Sequence, residues 1–292
     1  MTNYESMRKA LCLFVACWLC VPAIFSNACN VNECEVKKNV ENNITSKTKP
    51  ISVYLTFDDG PSKVTASVLD ILKEQKIEAT FFVNGRTDKF SLSMYKRIAD
   101  EHHAIGNHSY THDYKAIYKS VIAFEEDFNQ LQQLLKETIG FEPKIMRFPG
   151  GSNNSIAKKQ YGQQIMNEMI DHMTELGYHY FDWNVSAGNS QVGFVASDRL
   201  VKNATNLPLG LRTVILLIHD SKGKESVIDA LPKIIAFYRG KQAIFKKLEE
   251  NSPVVHYSNG TPKSIIPTIV FDATPRPTAF PFYSKRIDPI KK

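Results

Sequence analysis

Strand-like and helix-like segments alternate along this 292-residue chain, and that alternation restricts its fold more than any other feature. The segment ISVYLTF at 51–57 is rich in β-branched and aromatic residues, as strands are. Apolar residues then recur at helical spacing between 64 and 72, and ATFFVNG at 79–85 is strand-like again. This βαβ rhythm is typical of a parallel sheet covered by helices.

The same rhythm continues through most of the chain. Further strands are predicted at AIGNHS (104–109), KIMRFPG (144–150), YHYFDWNV (178–185) and TVILLIHD (213–220). Helices are predicted near 92–101, 121–135, 160–176, 196–206 and 226–238. The pattern predicts one α/β catalytic domain over 51–255, in which six or seven βα units close a parallel sheet into a barrel.

The first 28 residues have the pattern of an export signal. Arg8 and Lys9 precede a 16-residue apolar segment, Ala10–Phe25, which is short for a membrane span. Small or polar residues follow and predict cleavage after Ala28, which would make the mature protein an exported one, outside the membrane. An uncleaved membrane anchor is the alternative.

Two further segments lack any apolar period. Residues 29–50 are polar and predict a flexible linker. Residues 256–292 are rich in proline and predict an extended tail. The five cysteines all precede residue 35, so a thiolate metal site in the barrel is excluded. A small Cys29–Cys34 disulfide and lipid attachment at Cys29 stay open.

The charge of the chain restricts its partners. The formal net charge is +6, and Lys and Arg are spread along the sequence without long runs. This distribution does not indicate nucleic acid binding and is compatible with an anionic surface or polymer nearby.

Polar side chains cluster where the predicted strands end. Eight residues lie at or just after such ends, namely Asp58, Asp59, His108, His112, Arg147, Asp182, Trp183 and His219. Taken singly, each of these residues has a common structural explanation: an aspartate can form a turn, a histidine can lie in a loop, an arginine can be a surface charge and a tryptophan can pack in the core. In a parallel barrel the carboxyl ends of the strands meet at one mouth, so together these residues predict a site there.

The donor atoms in this group suit a catalytic metal. His108 and His112 offer two imidazoles four residues apart, and a carboxylate of LTFDDG would be the third ligand. Three protein ligands leave positions open for water and substrate. Non-haem iron oxygenases use the same donor set, but the βα pattern and the separate His219 argue against that alternative.

The motifs LTFDDGPS, HSYTH, RFPGG, FDW and LIH resemble, in order and spacing, the five motifs of the polysaccharide deacetylase family, also called carbohydrate esterase family four. The resemblance implies a distorted (β/α) barrel that removes acetyl groups from N-acetylglucosamine units. It also implies a divalent metal cofactor, Zn²⁺ with Co²⁺ as the alternative. The implied metal ligands are Asp59, His108 and His112.

The resemblance also implies roles in proton transfer and substrate binding. It makes Asp58 the general base, held by Arg147, and His219 the general acid, oriented by Asp182. The implied substrate-binding residues are Pro149, Gly150, Trp183 and Leu217. Of these, Gly150 would offer its backbone N–H to the developing oxyanion.

One position departs from the family pattern. Many relatives have an aromatic residue where RFPGG has Gly150, so an aromatic groove wall is absent there. The FPGG form is similar to peptidoglycan-type deacetylases of Gram-positive bacteria, and the predicted partner is therefore an N-acetylated cell-wall glycan bound by a monomer. The alternatives are chitin oligomers, poly-N-acetylglucosamine, an O-acetyl xylan ester and noncatalytic glycan binding.

Overall fold

The computed structural model describes residues 50–258 and 261–265. The strands are, in chain order, β1 (Ser52–Asp58), β2 (Thr80–Val83), β3 (Ala104–Asn107), β4 (Ile145–Met146), β5 (His179–Tyr180), β6 (Val185–Ser186), β7 (Thr213–His219), β8 (Ile244–Lys246), β9 (Val254–Ser258) and β10 (Thr261–Ile265). The helices are α1 (Lys63–Gln75), α2 (Lys89–Asp100), α3 (Tyr114–Ile117), α4 (Val121–Ile139), α5 (Ser155–Tyr161), α6 (Ile165–Glu175), α7 (Ser197–Thr205) and α8 (Ser226–Gly240). In this part of the chain, no helix combines the length and apolarity that a bilayer crossing needs.

Several predictions for the ends of the chain fall outside these residues. The predicted signal peptide or anchor at 1–28, the linker at 29–50 apart from its last residue, and the tail beyond 265 are not described. The predicted disulfide and lipid attachment at the N-terminal cysteines lie in the same undescribed region.

Strand β1 lies at the centre of the main sheet. The strand order is β5-β4-β3-β2-β1-β7-β6, and every pairing in this sheet is parallel. The second half of β1 pairs with β2, and its first half pairs with the short strand β8. Parallel pairing with helical crossovers is the arrangement predicted from the βαβ rhythm.

The connection between β5 and β6 requires the sheet to curl. These strands are the two edges of the sheet, yet only residues 181–184 join them. Five steps of extended chain span at most about 18 Å. Six flat strand spacings would need about 29 Å. The edges must therefore lie close together, and the sheet forms the predicted distorted (β/α) barrel.

The hairpin of β9 and β10 lies against the chain that joins the two edges. Asp182 N donates to Val255 O at 3.0 Å, and His256 Nε2 lies 3.1 Å from Tyr180 O. Strand β9 crosses the predicted domain boundary at residue 255 and pairs antiparallel with β10. The first part of the predicted proline-rich tail therefore forms a two-stranded hairpin, whose strand β9 is hydrogen-bonded to the barrel.

Side-chain alternation along β1 separates two layers of the core. Val53, Leu55 and Phe57 pack in the large cluster that includes α1 and α8, whereas Tyr54 packs in a smaller cluster with Phe82, Phe181 and Ile215. Successive side chains of a strand point to opposite faces, so Thr56 and Asp58 share the face of Tyr54. This face lines the interior of the barrel and ends at its mouth.

Some predicted elements differ in length. YHYFDWNV is not one strand, because it contributes the two short strands β5 and β6 to opposite edges of the sheet. KIMRFPG is a strand only at Ile145–Met146. The predicted helix at 160–176 is two helices, because Gly162 has φ 106° and ends the first of them.

Candidate active site

Three predicted metal ligands meet at the mouth of the barrel. Asp59 follows β1, and His108 and His112 follow β3. Asp59 Oδ1 lies 3.5 Å from His108 Nε2 and 3.3 Å from His112 Nε2. One donor atom from each of the three residues lies within 4.8 Å of the others. This spacing is compact enough for one cation to contact all three.

A strained loop, rather than a helix, places the two histidines. Ser109 and His112 have φ values of 71° and 57°, which side chains other than glycine rarely adopt. Asn107 Oδ1 accepts from Ser109 N at 2.8 Å, and Ser109 Oγ accepts from His112 N at 2.8 Å. These side-chain bonds replace backbone bonds and hold the loop in its unusual conformation.

The surroundings of the three ligands fit a divalent cation. His108 Nδ1 lies 2.7 Å from Arg147 O, and a donor at Nδ1 leaves the lone pair of Nε2 facing Asp59. Burial lowers the pKa of His108 to about 3, so the ring is neutral, as a metal ligand must be. Asp59 Oδ1 is buried without a hydrogen-bond partner among the described residues, and a cation would satisfy that oxygen.

Asp58 is buried beside this cluster. Its Oδ1 accepts from Arg147 Nη1 at 2.7 Å, and its Oδ2 lies 3.6 Å from His108 Nε2. Burial raises the pKa of Asp58, while the guanidinium of Arg147 opposes that shift. A carboxylate with a raised pKa, one side of which faces the ligand cluster, can accept a proton there.

Arg147 stands inside the barrel with its side chain fully buried. Its further hydrogen bonds go to Thr56 Oγ1 at 2.8 Å, Phe181 O at 2.8 Å and Asp182 O at 3.2 Å. The guanidinium carbon lies 4.3 Å from the centre of the Phe82 ring. A buried charge with so many partners is positioned tightly, and its hydrogen bond fixes the Asp58 carboxylate.

His219 lies on the opposite side of Asp59. Its Nε2 is 4.0 Å from Asp59 Oδ2, and its Nδ1 is 3.2 Å from Asn189 Oδ1. Asn189 also accepts from His219 N at 3.0 Å and donates to His219 O at 2.9 Å. Burial lowers the pKa of His219, and the carboxylates of Asp58 and Asp59 oppose that shift.

Asn189, not Asp182, therefore orients the His219 ring. The Asp182 carboxylate instead accepts from Ser152 N at 2.8 Å and from Tyr257 N at 3.0 Å. Asp182 thus ties β9 to the loop after β4, and the predicted Asp182–His219 pair is wrong. Asn189 follows β6 by three residues, so the same strand-end rule could have identified it.

The predicted substrate-binding residues lie around the ligand cluster. Leu217 is buried on β7, two residues before His219 and on the same face. Trp183 is half-buried and packs edge-on against Tyr257, with the ring centres 5.3 Å apart. A Cβ on Gly151 would lie 3.1 Å from the Trp183 ring, so this glycine allows the indole to approach the loop.

The loop at 149–150 is open to solvent at Gly150. Pro149 is buried, and its carbonyl accepts from Tyr118 Oη at 2.7 Å. Gly150 is exposed with φ 75°, and its N–H donates to no backbone carbonyl of the described residues. This N–H is therefore available to a bound ligand. An open cavity of about 490 Å³ borders Asp59 and is lined by Lys63, Arg86, Phe90 and Lys222 among others.

Comparisons with known proteins identify the family of this chain. Residues 45–169 match the sequence profile of the family named polysaccharide deacetylase. The chain is 30% identical over 211 residues to YheN of Bacillus subtilis, whose name places it among polysaccharide deacetylases, and the match covers 70% of each chain. It is 29% identical over 222 residues to a peptidoglycan-N-acetylglucosamine deacetylase of Bacillus cereus, covering 75% of this chain and 76% of that protein.

A solved structure extends the likeness to the fold. The catalytic domain of peptidoglycan N-acetylglucosamine deacetylase from Eubacterium rectale superposes with a TM-score of 0.67 at 34% identity, over 72% of this chain and 93% of that domain. The fold and the site define a metal-dependent hydrolase of the α/β barrel class. The chain belongs to the polysaccharide deacetylase family, whose members remove acetyl groups from glycans.

Proposed function

We propose that this protein removes N-acetyl groups from N-acetylglucosamine residues of peptidoglycan in a reaction that depends on Zn²⁺. The observation that carries the proposal is the buried Asp58, fixed by Arg147 and directed at a cluster of one carboxylate and two imidazoles. Relatives from Bacillus cereus and Eubacterium rectale, named as peptidoglycan N-acetylglucosamine deacetylases, support the choice of glycan.

Asp59, His108 and His112 would hold the metal. Their oxygen and nitrogen donors suit Zn²⁺, and Co²⁺ is the alternative. When bound, a divalent cation polarises the acetyl carbonyl and lowers the pKa of water from about 16 to about 7. Asp59 and the histidines supply the charge and the lone pairs that such an ion requires, without cysteine.

The remaining residues move protons and stabilise charge. Asp58 takes a proton from the attacking water, and Arg147 keeps its carboxylate in place. His219 delivers a proton to the departing glucosamine nitrogen, because an amine leaves more easily than an amide anion. Asn189 keeps the ring of His219 turned so that Nε2 faces the site. The free N–H of Gly150 donates to the oxyanion.

The proposal includes the place where the protein works. The basic start and apolar segment at 8–25 support export, and the excess of positive charge suits an anionic cell wall. The cell wall and the membrane surface are therefore the proposed surroundings of the enzyme.

One experiment tests the substrate. The Zn²⁺-loaded protein is incubated with purified peptidoglycan, chitin oligomers, poly-N-acetylglucosamine and acetylated xylan, and acetate and free amines are quantified. The proposal expects equal amounts of acetate and new amine, fastest with peptidoglycan. Acetate without amine would identify an ester hydrolase, and no acetate from any substrate would favour a noncatalytic glycan-binding protein.

A further inference from the structure

We infer that Tyr114 is a further substrate-contacting residue. Its ring forms the wall that a side chain at position 150 would otherwise form, and its hydroxyl donates a hydrogen bond to the N-acetylated sugar in the site. This inference deepens the proposed function and rests on it for the identity of the sugar.

The Tyr114 ring is held beside the metal-ligand cluster. Tyr114 begins α3, two residues after His112, and the two ring centres are 5.4 Å apart with the planes tilted by 45°. On its other side the ring packs edge-on against the fully buried Tyr118 at 5.8 Å. The ring is therefore fixed between a proposed ligand and the core.

Gly150 and Tyr114 occupy the same part of the groove. A Cβ built on Gly150 would lie 2.6 Å from both Tyr114 Oη and Asn154 Nδ2, closer than real Cβ atoms come, and 3.1 Å from Tyr114 Cζ. A side chain at position 150 is excluded while Tyr114 stands there. The aromatic wall that the loop after β4 lacks is thus provided by α3, which follows a different strand.

The hydroxyl of Tyr114 stands at the free backbone of Gly150. Neighbouring tyrosines use their hydroxyls within the fold, because Tyr118 Oη and Tyr161 Oη donate to backbone carbonyls of Pro149 and Lys115, each at 2.7 Å. In the described part of the chain no such bond engages Tyr114 Oη, although the side chain is half-buried. Tyrosine hydroxyls in such surroundings usually have a partner. A sugar in the site can be that partner.

The ligand class follows from these two features. A flat apolar ring with a donor at its edge matches an N-acetylhexosamine, which offers an apolar ring face and several oxygen acceptors. The contact requires no metal, so it can be measured on the metal-free protein as binding alone.

The test compares Tyr114→Phe with Tyr161→Phe, which removes a hydroxyl on the neighbouring helix α5. The dissociation constant of N-acetylglucosamine tetramer is measured by calorimetry on metal-free protein, and kcat/KM on Zn²⁺-loaded protein. Because a neutral hydrogen bond contributes about 0.5–1.5 kcal/mol, we expect Tyr114→Phe to weaken binding and lower kcat/KM by about 2- to 12-fold. Tyr161→Phe should match the wild type within twofold, and zinc content should be equal in all three proteins.

A second variant, Tyr114→Ala, should weaken binding further, because it also removes the ring. Wild-type affinity and kcat/KM in Tyr114→Phe, or loss in both phenylalanine variants alike, would overturn the inference. Failure of the wild-type protein to release acetate while Tyr114→Phe still weakens tetramer binding would instead overturn the proposed reaction and leave the contact established.

Discussion

Asp58 and His219 are direct partners in the register of the parallel strands β1 and β7. The pairing is extended by a hydrogen bond of 3.1 Å from Asp220 N to Asp58 O, immediately beyond the ends of the strands. The proposed base and the proposed acid are thus placed side by side by one backbone ladder. Their separation cannot change without breaking the centre of the sheet.

Asp58→Asn should separate the two roles of the adjacent aspartates. Asparagine has nearly the same size but accepts no proton at neutral pH, so kcat should fall by roughly 10²- to 10⁴-fold while zinc stays bound. Asp59→Asn should lose zinc instead. Zinc content by mass spectrometry and initial rates of acetate release measure both effects. Asp113→Asn, an exposed helix-capping carboxylate next to His112, should resemble the wild type. Zinc loss in Asp58→Asn with zinc retained in Asp59→Asn would exchange the assigned roles.

Asn189→Asp should move the basic limb of the pH–rate profile. A carboxylate beside His219 Nδ1 favours the protonated ring and raises its pKa. A general acid loses activity above its pKa, so the decline of kcat at high pH should begin at a higher pH in this variant. The matched control is Ser190→Asp, because position 190 is exposed and its charge is screened. Identical basic limbs in the wild type and Asn189→Asp would show that Asn189 does not govern the ring.

Arg147→Ala should destabilise the barrel as well as abolish activity. The substitution leaves Asp58 buried without its partner, and loss of one member of such a pair costs about 3–5 kcal/mol. Lys136→Ala is the control, because Lys136 pairs with Glu142 at 2.9 Å while its side chain is 57% exposed, and such pairs contribute below about 1 kcal/mol. Urea unfolding at pH 7 measures the free energy of unfolding of both variants and of the wild type. If both variants lost less than about 1 kcal/mol of unfolding free energy, Arg147 would not contribute to the stability of the barrel as expected.

His103 should make the protein sensitive to acid at a place remote from the site. Its Nδ1 accepts from Ala79 N at 3.1 Å, and burial lowers its pKa to about 4, below the ordinary value of 6.5. As pH falls below 6.5 the unfolded chain takes up a proton before the folded one does. Stability present above pH 6.5 is therefore lost on the way to pH 4, by about 3 kcal/mol at roughly 1.4 kcal/mol per unit.

The variant His103→Gln should remove this dependence of the unfolding free energy on pH. Free energies of unfolding at pH 7, 6, 5 and 4 should fall less steeply in this variant than in the wild type. His179→Gln, at a half-exposed histidine, should keep the wild-type slope. Equal pH dependences in the wild type and His103→Gln would show that folding does not lower the pKa of His103.

The sequence predicted the barrel because its longest strands are governed by local rules. ISVYLTF and TVILLIHD have the composition of buried strands, and their polar ends lie at the mouth that parallel strands share. The turn and metal interpretations of LTFDDGPS are also compatible, since Asp59 has φ 71° in a tight turn and offers its carboxylate to the cluster.

The details that depend on tertiary contacts were not predictable in this way. YHYFDWNV looked like one strand, but its centre leaves the sheet and carries Asp182 to donors on Ser152 and β9. Asn189 lies just after a strand end, but it carries no charge and belongs to none of the quoted motifs, so its three bonds to His219 become evident only in the folded loop. Tyr114 gains meaning only beside Gly150, which lies 36 residues later in the chain.

The most direct test of the whole account is a titration of metal-free protein with Zn²⁺, in which bound zinc and acetate release from peptidoglycan are measured in the same samples. The account predicts that activity rises in proportion to occupancy and stops at one ion per chain, and that folded His112→Ala shows neither. Full acetate release after verified metal removal, or unchanged zinc binding by His112→Ala, would contradict it.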